Sequence, residues 1–219
     1  MEIKVCNYEK IISKNKILSN INISMSGGNI YGFQGKNGSG KTMLMRAISG
    51  LILPTFGYVE IDGKRIGKDI DFPQSIGMLI ESPGFISSYS GYKNLKLLAS
   101  LKKKASDEII RDKMRELSLN PDDVKKYKKY SLGMKQKLGI IAATMENPDI
   151  IILDEPFNAL DEKSCKVVND IILNYKSKNK IIIIACHDKE ELYKLADVVY
   201  VIENGEVVRT VNVKENENN

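Results

Sequence analysis

The stretch Gly32-Phe33-Gln34-Gly35-Lys36-Asn37-Gly38-Ser39-Gly40-Lys41-Thr42 leaves this chain few ways to fold. Gly35, four residues, then Gly40, Lys41 and Thr42 follow an apolar run at 29–33 and lead into a helical segment. That is the complete P-loop spacing between a strand and a helix. Glycines at 35, 38 and 40 let the backbone turn and press its N–H groups against phosphate oxygens, where a side chain would intrude. The helix that follows turns the positive end of its dipole toward the same anion. Lys41 is placed to reach the β- and γ-phosphates, and the Thr42 hydroxyl to bind Mg²⁺. A glycine-rich turn that merely joins strand to helix is the alternative; the full spacing, correct on both flanks, speaks against it. Gly35, Lys36, Asn37, Gly38, Ser39, Gly40, Lys41, Thr42 and Met43 are therefore the candidate site for ATP or GTP.

The rest of the chain fits an α/β frame around that loop. Short β-type runs at 2–6, 17–25, 29–33, 57–61 and 75–80 are separated by turn signals such as Asp62-Gly63-Lys64. Residues 90–147 change to apolar spacings of three and four, as in Ile110, Met114 and Leu117, which predict helices. Ser106 before Asp107 and Glu108, and Asn120 before Pro121, Asp122 and Asp123, each read as a cap followed by an acidic first turn. After 148 the pattern alternates: strand 150–153, helix 161–175, strand 180–186, helix 189–195, strand 198–202. Near-continuous Ile and Val runs between helices predict a mainly parallel sheet covered on both faces. The polar stretch 214–219 predicts a disordered tail.

The strand at 150–153 ends in Asp154 and Glu155, where parallel sheets bind ligands. Asp154 is a candidate Mg²⁺ ligand. Glu155, one residue on, is the candidate general base that polarises the attacking water. Paired acids usually cap a helix or end a strand in solvent; a P-loop about 110 residues upstream favours the functional reading.

Composition sets limits. With 42% hydrophobic residues in 219, the chain can bury a sizeable core. The N-terminus Met1-Glu2-Ile3-Lys4 reads as no secretion signal, and the aliphatic runs fall well short of the ~20 residues needed to span a bilayer. The net charge of +5 comes from 28 lysines against five arginines, scattered without aromatic interleaving, so no nucleic-acid partner is expected. Three cysteines without a CxxC pair suit a reducing cytosol.

Taken together, the chain resembles the nucleotide-binding domain of the ATP-binding cassette (ABC) family over essentially its whole length. The resemblance rests on Gly35 to Thr42, the step Ser131-Leu132-Gly133-Met134, the apolar run into Glu155, Asn158-Ala159-Leu160-Asp161, and His187 after an apolar strand. It implies a P-loop NTPase of the ABC ATPase type in one domain, 1–219. The ATP-binding core would be 1–83 and 149–213, with an N-terminal antiparallel β subdomain. A helical subdomain at 84–148 would carry the signature. Ser131 and Gly133 become the signature that completes an ATP site on a second subunit, Asp161 belongs to the D-loop between subunits, and His187 is the switch histidine facing the γ-phosphate. Adjacent Cys186 reads as strand packing. The family's cofactors are ATP and Mg²⁺. Its partners are a second ATPase subunit, a homodimer here, and separate permease chains touched through 81–92, which holds the protein at the cytoplasmic face of the membrane.

Several positions depart from the family pattern. Leu132 and Met134 stand where Gly and Gln are usual, and Met43 replaces a second hydroxyl, leaving its backbone N–H for the α-phosphate. Ile12 aligns with an aromatic that stacks on adenine, with Tyr8 four residues earlier, which leaves ATP against GTP open. Glu81 stands where most relatives carry the Gln that links Mg²⁺ to the permease. Together with Tyr130 to Gln136 it resembles the subgroup exporting lantibiotics and bacitracin. Phe85, in the loop that follows, either meets the permease or folds onto its own helical subdomain. A non-transport ABC ATPase working on nucleic acid, ribosomes or a cluster scaffold is the alternative; such relatives carry a second cassette or long arms. An ordinary P-loop kinase fits the later motifs poorly.

Overall fold

The computed structural model describes residues 1–213 except Ser82 and Lys103. In chain order the elements are β1 (Glu2–Ile12), β2 (Asn15–Ser26), β3 (Asn29–Gln34), α1 (Lys41–Ile48), β4 (Phe56–Ile61), β5 (Lys64–Arg65) and β6 (Ile76–Leu79). They continue with α2 (Gly91–Lys102), α3 (Asp107–Glu116), α4 (Leu132–Thr144), β7 (Ile150–Asp154), α5 (Glu162–Ser177), β8 (Ile181–Ala185), α6 (Lys189–Leu195), β9 (Val198–Glu203) and β10 (Glu206–Asn212). A four-stranded antiparallel sheet runs β2-β1-β4-β5, and a six-stranded sheet runs β10-β9-β3-β8-β7-β6. In the larger sheet every neighbouring pair is parallel except β10 on β9.

Ile150 to Leu153 and Ile181 to Ile184 are all buried, because helices or the second sheet cover both faces of β7 and β8. Alternate residues feed two cores. Ile150, Ile152, Ile181 and Ile183 pack with α1 and the antiparallel sheet, while Ile151, Leu153, Ile182 and Ile184 pack with α4 and α5. Each such isoleucine contributes about 1.5–3 kcal/mol by leaving water. A strand buried on both faces has no polar positions to alternate, which is why these runs read as continuous in the sequence. The antiparallel sheet shows the contrasting pattern: Ile3, Val5, Ile21, Ile23 and Met25 point inward between exposed polar neighbours.

Helix starts follow their caps. The Ser106 hydroxyl accepts from the Ile109 N–H at the head of α3, and the carboxylates of Asp161 and Asp188 accept from Ser164 and Glu191 at the heads of α5 and α6. At 120–123 the expected helix does not form. The Asp122 N–H donates to Asn120 Oδ1 at 3.0 Å, but the turn leads into irregular chain and only Tyr127–Lys129 makes a 3₁₀ turn. Pro121 is buried, but Val124, which would continue a helix from this cap, is 88% exposed and draws no further turn onto the core. β1 runs to Ile12 rather than ending at residue 6, and β5 and β10 lie outside the expected elements. The expected disordered tail, 214–219, lies outside the described residues.

β6 reaches the sheet edge against α4, and Gly77 is the point of closest approach: a Cβ there would run into the Ala143 carbonyl. Gly77→Ala should therefore destabilise the chain by about 1–3 kcal/mol, the usual range for overpacking a tight contact, read as a lowered midpoint in urea unfolding.

Candidate nucleotide-binding and catalytic site

The loop between β3 and α1 turns because its glycines permit it. Gly38 and Gly40 have φ of 79° and 110°, and a Cβ on Gly35 would strike the Ile202 carbonyl and the Ser39 hydroxyl. The β9–β10 turn packs beneath it, with the Gly205 N–H donating to the Ser39 carbonyl at 2.9 Å. Above lies a cleft of about 710 Å³ lined by Gly35 to Ser39, His187 and the chain from Val201 to Asn204. Lys41 is buried, and its ammonium donates to the carbonyls of Gly35 at 2.7 Å and Lys36 at 3.1 Å, so its charge lies within the loop. Ser39 Oγ is buried without a partner beside these groups. Glycine backbone, an ammonium and an unpaired hydroxyl form a surface that fits phosphate.

Thr42 Oγ1 donates to Asp154 Oδ2 at 2.9 Å, joining the first turn of α1 to the end of β7. Two oxygen donors at this distance suit a hard cation such as Mg²⁺. Burial pushes the Asp154 carboxyl above its ordinary value, the Thr42 hydrogen bond pulls against that, and the charges of Glu155 and Glu81 add to the rise. Asp154 is thus an anion held where anions are disfavoured, the condition a bound divalent ion relieves.

Glu155 turns the other way. Its backbone has φ of 50°, and its Oε2 lies 2.7 Å from His187 Nδ1. The candidate base and the candidate switch histidine, 32 residues apart in sequence, are in direct contact. Cys186 Sγ, Glu155 and His187 also bring donor atoms within 4.8 Å of one another. Cys186 is buried, its Sγ lies 3.9 Å from Glu191 Oε2, and desolvation pushes the thiol up to about 11. It stays protonated, in keeping with its reading as a packing residue.

Glu81 Oε1 pairs with Arg46 Nη2 at 2.9 Å, one turn along α1 from Thr42. Met43, between them, brings its sulfur to 4.0 Å from Arg46 Nη1. Ser131 caps α4, its Oγ accepting from the Met134 N–H at 3.2 Å. Asp161 Oδ1 accepts from the Ser164 N–H at 2.7 Å, and the contact to Ser164 holds its carboxyl below the usual range. Ser131, Gly133 and Asp161 do not line the cleft over the P-loop. Tyr8 cannot stack on a base: its ring is fully buried and its hydroxyl donates to the Ile52 carbonyl at 3.1 Å. Ile12, at the end of β1, is 43% exposed. Phe85 folds onto its own helical region, edge-on to Tyr127 at 5.1 Å, and also lines a cleft of about 280 Å³ with Leu51, Met78 and Leu98.

Two contacts have no counterpart in a motif reading of the sequence. Gln136 Nε2 donates to the Glu155 carbonyl at 2.8 Å, and Arg46 meets Glu81. Both are side-chain contacts between distant segments.

A P-loop after β3, a carboxylate pair at the end of β7 and a histidine just beyond β8 define an ABC-type ATPase. The chain belongs to the ABC transporter family, whose model matches residues 18–158, and it binds and hydrolyses ATP with Mg²⁺. It is 46% identical over 203 residues to the uncharacterized ABC transporter ATP-binding protein YybJ of Bacillus subtilis (strain 168), covering 93% of each chain. It is 36% identical over 211 residues to the bacitracin transport ATP-binding protein BcrA of Enterococcus faecalis, covering 95% of this chain and 68% of that one. The fold matches the solved ATP-binding subunit of an ABC transporter with a TM-score of 0.88 at 23% identity, covering 98% of this chain and 91% of the other.

Because the Asp154 carboxyl is raised, ionising it works against the folded state. Its unfolded value is lower, so the penalty is present above the folded value and fades as pH falls through it. Asp154→Asn should raise the melting temperature of the nucleotide-free chain at neutral pH, with the gain shrinking under acid conditions, while Mg²⁺-dependent ATP affinity is lost. Calorimetry across pH together with nucleotide titration reads both.

Proposed function

We propose that the chain is the ATPase subunit of an exporter, acting as a pair on separate permease subunits and carrying a peptide antibiotic of the bacitracin or lantibiotic class out of the cell. The observation that carries the catalytic part is the 2.7 Å contact between Glu155 and His187, beside the Thr42–Asp154 contact. In this reading Gly35, Lys36, Asn37, Gly38, Ser39, Gly40, Lys41, Thr42 and Met43 hold the triphosphate, with Lys41 leaving its loop carbonyls for phosphate oxygens. Thr42 and Asp154 hold Mg²⁺, with Glu81 next to them. The metal, when bound, supplies charge neutralisation on the phosphates. Glu155 orients and deprotonates the attacking water; His187 fixes the direction of that carboxylate and faces the transferred phosphate. Ser131 and Gly133 cap the nucleotide of the second subunit, which accords with their lying outside the lining of this chain's own cleft, and Asp161 lies at the seam between the two.

The substrate class is supported by the likeness to BcrA, whose name states bacitracin transport. No helix among the described residues is long and apolar enough to cross a membrane, which suits a peripheral subunit held at the cytoplasmic face by its permease. The segment 81–92 and the apolar cleft beside Phe85 are the surface offered to that permease.

Glu155→Gln should keep ATP binding and lower turnover on the order of 10²-fold or more, as expected on losing a general base. Unchanged hydrolysis would sink the assignment. Ser131→Arg should abolish hydrolysis while the isolated subunit still binds nucleotide, and cooperative hydrolysis retained by that variant would refute the paired arrangement. For the substrate, cells producing the chain with its permease should tolerate more bacitracin or lantibiotic than cells carrying Glu155→Gln. Equal tolerance to both classes would remove peptide antibiotics from the proposal.

A further inference from the structure

We propose that Gln136 is a positioning residue for hydrolysis: its side-chain amide holds the Glu155 backbone in the left-handed turn that aims the carboxylate at His187. The proposal rests on the reading of Glu155 as the general base. A non-glycine residue with φ of 50° sits in a sparsely populated conformation and persists only where its surroundings enforce it. At Glu155 the enforcement is visible on both sides of the residue. Its N–H donates to the Ala185 carbonyl of β8 at 2.8 Å, and its own carbonyl accepts from Gln136 Nε2 at 2.8 Å. Among the described residues the other donor to that carbonyl, the Asn158 N–H, stands off at 3.3 Å. Without the Gln136 amide, little would keep the peptide plane after Glu155 from rotating.

Gln136 lies on the second turn of α4, and the first two turns of that helix touch the loop after Glu155 at two further points. Gly133 approaches the Ala159 carbonyl so closely that a Cβ would lie 2.6 Å from it, and Ala159 is itself left-handed with φ of 60°. Lys137 Nζ lies 3.9 Å from Asp161 Oδ2. The helix whose N-terminus is capped by Ser131 therefore grips both left-handed residues of the loop. A shift of α4 by whatever meets its N-terminus would be felt first at the Glu155 carbonyl. Gln136 is thus the link through which contact at the Ser131 end is transmitted to the base in the same chain.

The test separates hydrogen bonding from shape. Gln136→Met keeps the length of the side chain and removes the donor; Gln136→Lys keeps both length and a donor. In the purified chain, Gln136→Met should lower kcat on the order of 10- to 100-fold, the cost of a misplaced reacting group, with KM and the affinity for a fluorescent ATP analogue unchanged. Gln136→Lys should recover most of that loss. Wild-type kcat in the Met variant, equal damage in both variants, or loss of nucleotide affinity in parallel with kcat would each overturn the proposal. A double-mutant cycle isolates it from the underlying reading. If Glu155→Gln lowers turnover as expected, adding Gln136→Met should change it no further. A full additional loss would show that Gln136 acts elsewhere, whereas normal turnover in Glu155→Gln alone would overturn the role of the base itself.

Discussion

The register of three parallel strands is the constraint from which the site follows. Asp154 stands level with Ala185 across the β7–β8 pair, and Phe33 stands level with Ala185 across the β3–β8 pair. The chain beyond each of those positions leaves the sheet on the same edge and at the same height. Gln34 leads into the phosphate loop, Glu155 opens the loop to α5, and Cys186 delivers His187. A slip of one residue in either pairing would turn Asp154 from the P-loop toward the other face and separate Glu155 from the histidine. The isoleucine runs prevent that slip, since alternate residues of β7 and β8 fill two different cores. Packing on both faces of the sheet is thus what makes the placement of Asp154, Glu155 and His187 specific.

The charges at this edge are held on neutral hydrogen-bonding groups. Lys41 is buried with its ammonium on loop carbonyls, and Asp154 is half-buried with its carboxylate on a hydroxyl. Neither contact neutralises a charge, and the two opposite charges lie on adjacent elements. A phosphate and a metal ion bound here would meet the ammonium and the carboxylate in partly dehydrated surroundings, where their attraction would be stronger than in solvent. The Glu155–His187 pair stands at the more exposed end of the same edge, His187 open to solvent and Glu155 partly covered.

The sequence makes the local and the periodic parts of this arrangement legible. The P-loop is a contiguous spacing, the Asp-Glu pair ends an unmistakable buried strand, and caps such as Ser106 and Asp161 announce helices within three residues. The antiparallel sheet reads from alternation. Expectation failed where a local signal lacked a tertiary partner, as at 120–123, where a good cap and two acids are followed by the exposed Val124, Lys125 and Lys126. It was silent where the decisive contact joins remote segments. No spacing announces that Gln136 will meet the carbonyl of Glu155, or that Tyr8 will spend its hydroxyl on Ile52 beneath the sheet. β10 escaped notice because Arg209 and Thr210 interrupt its apolar residues, and an edge strand facing solvent on one side needs little alternation to pair.

Glu81 shows how a change of one charge can be accommodated beside a metal site without rebuilding it. A carboxylate here adds negative potential to an Asp154 that burial already disfavours as an anion, and its effect on Asp154 is indeed to raise it further. Arg46, on the solvent side of α1, meets Glu81 at 2.9 Å and offsets part of that potential. With the Glu81 side chain 61% exposed, the pair contributes little to folding, since water screens it and both side chains lose freedom in making it. Its importance is local. The contact engages Oε1 alone, and a carboxylate carries a second acceptor oxygen that an arginine and a cation can share, whereas a glutamine would offer one side-chain oxygen to both.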